Sequence, residues 1–155
     1  MVTPQDNLLV GTNGWVLLMG FNKGGNLDTK WKRNLDSGSN ITSVVWGVGR
    51  AYGGCNGKFY ALNAETGEVK ERNELKDMGN QEVRMALWDG KLLHVGTNGW
   101  AMGLEVSTFR ELYKKNLGFM AGSDVTDVLV DKHGLAYYGT NGKLYVIEGP
   151  GNLIE

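Results

Sequence analysis

Cysteine is nearly absent from this chain. A single residue, Cys55, stands among 155, which excludes an intrachain disulfide framework. Charge of one sign is lacking too. Sixteen Lys and Arg face seventeen Asp and Glu for a formal net charge of −1. Such a balance supplies no concentrated positive field for nucleic acid or for an anionic membrane. Long apolar runs are missing: the longest hold four to five residues, far short of a spanning helix, so no membrane insertion is expected. The start, Met1-Val2-Thr3-Pro4-Gln5-Asp6, shows no basic patch followed by an apolar stretch, and the expectation is a cytoplasmic chain. Only two prolines occur, and no long amphipathic helix is legible; residues 107–117 come nearest, but the matching segments elsewhere read as strand.

What is abundant is glycine, 24 residues, and its placement is periodic. Gly11-Thr12-Asn13-Gly14 returns as Gly54-Cys55-Asn56-Gly57, Gly96-Thr97-Asn98-Gly99 and Gly139-Thr140-Asn141-Gly142, with starts 43, 42 and 43 residues apart. A period of about 40–50 residues signals blades or a solenoid. Asn-Gly between β-rich runs is a strong hairpin signal, because a type I′ turn needs positive φ at both central residues. Four I′ hairpins are therefore predicted. The strands after them are continuously apolar: Val16–Met19, Phe59–Leu62, Ala101–Leu104 and Leu144–Ile147. Continuous runs imply sheets covered on both faces.

The fold expected is an all-β β-propeller with four repeats of about 43 residues, approximately 1–40, 41–82, 83–123 and 124–155, each a four-stranded antiparallel sheet. A longer period overlies the short one. The residue after each turn alternates as Trp15, Lys58, Trp100, Lys143, and Trp31-Lys-Arg-Asn-Leu35 returns as Tyr113-Lys-Lys-Asn-Leu117. A doubled two-blade segment of about 85 residues accounts for this. The first repeat is short of most of its inner strand and the last of most of its outer one, and open edges invite pairing. Closure as a four-bladed ring and joining of two half-rings into an eight-bladed one both satisfy them. The truncated ends favour the second, a homodimer through open blade edges.

Gly57-Lys-Phe-Tyr-Ala-Leu-Asn-Ala-Glu-Thr-Gly-Glu-Val-Lys70 resembles the repeat of the quinoprotein-type (PQQ-enzyme-like) β-propellers, whose pattern runs Gly-x-Leu-Tyr-Ala-Leu-Asp-x-x-Thr-Gly-x-x-x-Trp. Asp28-Thr-Lys-Trp31 supplies the tryptophan and Gly142-Lys-Leu-Tyr-Val-Ile147 the start. The resemblance implies a blade. In the enzymatic members it also implies a quinone and calcium beside an acidic base, often with a vicinal cysteine pair. No residue here matches those elements, so no catalytic residue, metal or cofactor is expected.

His94 takes the strand position of Leu9, Tyr52 and Tyr137 and reads as a packed residue; His133, in Asp131-Lys-His-Gly134, reads as a solvated turn. Cys55 replaces threonine inside a turn and reads as a small turn residue. Strand-two to strand-three turns emerge on one rim of a propeller, together with the connections between blades. That places Trp15, Lys58, Trp100 and Lys143 near the rim, with Asn13, Asn56, Asn98 and Asn141 offering amides beside them. Indole faces with an N–H handle suit a part-apolar partner, and equally suit wedging between blades. The functional expectation is a non-enzymatic recognition module for a protein or glycan. The alternative is a fragment or relative of a quinone-dependent dehydrogenase or sensor propeller.

Overall fold

A computed structural model of the chain describes residues 1–35, 40–75, 81–118, 124–148 and, as backbone, 152–154. The expected repeat boundary at 123 and the linking residues 149–151 lie outside the described residues. Every regular element among the described residues is a strand. The first sheet holds β1 (Leu8–Gly11), β2 (Trp15–Phe21) and β3 (Leu27–Asn34). The second holds β4 (Ser43–Trp46), β5 (Arg50–Cys55), β6 (Lys58–Asn63) and β7 (Val69–Glu74). The third holds β8 (Arg84–Trp88), β9 (Leu92–Thr97), β10 (Trp100–Glu105) and β11 (Glu111–Asn116). The fourth holds β12 (Val125–Val130), β13 (Ala136–Thr140), β14 (Lys143–Glu148) and β15 (Asn152–Ile154). Strands within each sheet follow chain order and pair antiparallel. The chain divides into two compact units, Met1–Glu74 and Leu75–Glu155, each with two sheets.

All four Gly-x-Asn-Gly segments form two-residue hairpin loops, closed by pairs such as Cys55↔Lys58, Thr97↔Trp100 and Thr140↔Lys143. Their turn type departs from expectation. Only Asn98 has positive φ (45°), followed by Gly99 at 74°; Asn13, Asn56 and Asn141 keep negative φ while their glycines lie at 75°, 65° and 90°. Positive φ at the second central residue alone is the type II pattern. Asparagine tolerates either conformation, so the dipeptide fixes the loop length but not the turn type. The turns that lead into the last strands of the first two sheets are asparagine-capped. Asn63 Oδ1 accepts from the Glu65 and Thr66 amides at 2.9 and 3.0 Å, and Asn22 Oδ1 accepts from Gly24 and Asn26 in the same way.

One core joins the two sheets of each unit. In the first unit Leu9, Val16, Leu18 and Trp31 pack on Ile41, Ala51, Cys55, Tyr60 and Leu62. Trp31 Nε1 donates to the Ala64 carbonyl (2.9 Å) and Arg33 Nε to that of Gly67 (2.8 Å), which ties the outer strand of the first sheet to the second. In the second unit Ala101, Tyr113 and Leu117 pack on Val125, Val128, Ala136, Tyr138 and Ile147.

Coverage of both faces is found in the second and third sheets and not in the first and fourth. The four central residues of β6 and of β10 are all buried. In β2 buried and half-buried residues alternate, and in β14 only Ile147 is buried. The expected short ends are present, though the edges are partly filled. The Leu9 amide donates to the Met1 carbonyl (2.8 Å) and the Met1 ammonium to the Leu9 carbonyl (3.0 Å), so the first residues stand in for an inner strand. At the other end β15 pairs three residues with β14.

Candidate binding site

The residues singled out from the sequence sit where the hairpins place them, at the turn end of each second and third strand. Trp15 is 37% exposed and Lys32 Nζ lies 5.6 Å from its ring centroid. Its counterpart Trp100 is half-buried, with Lys114 Nζ at 4.8 Å. The two-blade repeat therefore reproduces a cation–π pair. In both, a lysine from the adjacent strand covers the indole. Lys58 is half-buried opposite Glu74; Lys143 is exposed. Asn13, Asn56 and Asn141 are exposed and Asn98 is half-buried.

Of these eight residues, Asn141 lines a cavity of about 300 Å³ in the second unit. Gln81, Glu82, Arg84, Asp124, Val125 and Thr126 complete its wall. β8 and β12 position it. Arg84 begins β8 opposite Gly96, and Val125 begins β12 opposite Thr140, so the cavity opens at the strand ends bordering the Asn98 and Asn141 turns. Arg84 Nη2 donates to Glu82 Oε2 at 2.6 Å, while Asp124 is exposed. Val125 supplies an apolar floor. Two carboxylates, a guanidinium, two amides and a hydroxyl make this a site for hydrogen-bonding a polar or basic group. The wall contains no histidine, cysteine or serine. Sequence reasoning passed over Glu82, Arg84 and Asp124. Their signal was positional: they lie in the connections between repeats or at the first residue of the strand that follows, on the rim shared with the turns.

A second polar cluster is sealed between the third and fourth sheets. His94 Nδ1 and Tyr113 Oη are 2.6 Å apart, Tyr113 Oη and Tyr138 Oη 2.8 Å, and Tyr138 Oη donates to the Met102 carbonyl at 3.3 Å. The relay that employs every donor runs from His94 Nδ1–H through Tyr113 and Tyr138 to that carbonyl. It leaves only the Nε2 lone pair of His94 without a partner. Burial pushes His94 down to about 4 and Tyr113 up to about 12, and Tyr138 also rises through burial. The cluster is a neutral structural network. His94 is thus the packed residue expected; His133 is exposed, and Cys55 is a buried thiol outside any disulfide. Among the described residues no three His, Cys, Asp or Glu gather into a metal site.

No protein-family model matches the sequence, and no curated protein matches it. Solved structures do. A chain of the mitotic checkpoint complex superimposes with a TM-score of 0.73 at 15% identity, covering 90% of this chain and 45% of that one. Sqt1 from Chaetomium thermophilum superimposes with a TM-score of 0.80 at 10% identity, covering 99% of this chain and 44% of that one. The fold is a β-propeller. Each sheet is accordingly a blade, and the chain spans less than half the length of either similar propeller. The likeness carries the propeller and does not extend to the quinoprotein-type repeat in particular.

Proposed function

We propose that the chain is a non-enzymatic propeller that recognises a protein partner at its turn rim, and that it acts as a pair of chains. The observation that carries the recognition reading is the rim cavity, whose mixed charges and apolar floor suit an extended peptide bearing a basic side chain. Arg84 is engaged by Glu82, so the Asp124 carboxylate is the group that meets the ligand. One similar chain was itself solved within a protein complex, which accords with a scaffold role. A protein ligand is favoured over a glycan because lysines lie over Trp15 and Trp100, where a sugar ring would stack. The test is quantitative cross-linking capture with the wild type and with an Asp124→Asn/Glu82→Gln double variant. The captured set should fall about tenfold in the variant; an unchanged set would overturn the rim reading.

A further inference from the structure

Equivalent strand positions have opposite environments at the two ends of the repeat series. Val16 and Leu18 of the first blade are buried against the second blade. The same positions in the fourth blade are Leu144, 66% exposed, and Val146, half-buried; Leu129 beside them is 62% exposed. Cross-strand pairs put these on one face. Leu129 opposes Tyr137, Tyr137 opposes Val146, and Gly139 opposes both Leu144 and Asp127. In the third blade Ala86, the counterpart of Leu129, packs against the core shared with the fourth.

The first blade shows the converse on its other face. Tyr60, Leu62 and Ala64 of the second blade are buried, the first two in the core shared with the first blade. Their counterparts in the first blade are Leu17 and Met19, half-buried, and Phe21, 63% exposed. So the chain presents one open face of each of the two kinds that meet at an internal seam. Charge agrees: Lys32 opposes Leu17 on the first-blade face, and Asp127 lies on the fourth-blade face.

We infer that these two faces are the halves of one seam, filled by a second copy of this chain: the fourth blade of each copy packs on the first blade of its partner. The inference rests on the pair reading above and names the surface that makes the pair. It corrects the expectation of pairing through edges, because Met1 and β15 already occupy those edges in part while the faces stay open. A head-to-tail arrangement that closes at two copies has two equivalent seams.

Sedimentation equilibrium on the intact chain tests this. The wild type should run at twice the 17.0 kDa of one chain. Leu144→Asp and Phe21→Lys each damage both seams and should weaken the dimer by roughly a hundredfold or more. Both positions are solvent-exposed in the single chain, so each variant should keep its β-sheet circular dichroism; Leu144→Thr is the milder substitute should the aspartate disturb folding. Mixing the two variants restores one fully wild-type seam and should recover dimer. A wild-type monomer would overturn both the pair reading and the seam. A dimer indifferent to these substitutions, or no recovery on mixing, would overturn the seam while leaving the pair.

Discussion

Lowering the pH should loosen the second unit through His94. In the folded chain its Nδ1–H is committed to Tyr113 and its Nε2 faces no acceptor, so a proton added there creates a buried charge with nothing to meet it. Burial places its folded pKa at about 4 against 6.5 for an unperturbed imidazole. The unfolded chain therefore binds the proton first. Stability is full above pH 6.5, declines as pH falls toward 4, and then stays level with respect to this group. Complete titration across that window costs about 3 kcal/mol, of which about 2 kcal/mol is lost by pH 5, before most carboxylates protonate. Urea titrations at pH 7, 6 and 5 measure the slope, and a His94→Leu variant isolates it. Leucine is the residue that the first blade carries at the same strand position, Leu9, fully buried. Tyr113 can still donate to Tyr138, and Tyr138 to the Met102 carbonyl, in that variant. The wild type should lose about 2 kcal/mol more than His94→Leu between pH 7 and pH 5. Equal losses would refute the neutral, sealed imidazole.

Three further substitutions test the turns and the first-unit seam. Gly67 has φ of +69°, and an added Cβ would lie 2.5 Å from Trp31 Cε3; Gly67→Ala should cost about 2–4 kcal/mol in urea denaturation, from the left-handed backbone and the displaced indole together. Asn98→Ala should cost about 1 kcal/mol because its φ is positive, whereas Asn56→Ala should stay within about 0.5 kcal/mol; equal costs would contradict the difference in turn type.

The blade was legible in the sequence because it is made of local signals. Asn-Gly pairs set two-residue loops, apolar runs set the strand that follows each loop, and Asn63 and Asn22 cap the following turns in the first two sheets. The turn conformation was not legible, since φ at Asn98 differs from φ at the other three asparagines despite the same dipeptide. The tryptophan–lysine alternation marked a real structural repeat, the paired rings of Trp15 and Trp100 under Lys32 and Lys114. It pointed away from the cavity, however. Glu82 and Asp124 come from connections, and Arg84 from the strand start beside them, where the repeats vary, and a search for what repeats passes over what does not.

Burial at repeat-equivalent positions is the property that repeats cannot encode, because it depends on which blade comes next. Val16 and Leu144 follow the same turn by the same two residues and face the same side of their blades, yet one is fully buried and the other two-thirds exposed. An aspartate should tell them apart. Val16→Asp puts a carboxylate into the core shared with Ile41 and Ala51 and should cost about 4 kcal/mol or more at any protein concentration. Leu144→Asp touches a face open in the single chain and should cost under about 1 kcal/mol in dilute solution. Its penalty should grow with concentration, because only the associated wild type gains from covering that leucine. Urea midpoints of both variants over a hundredfold dilution series make the comparison. A large, concentration-independent cost at Leu144 would mean that the chain covers this face by itself, and the case for a second copy would fall with it.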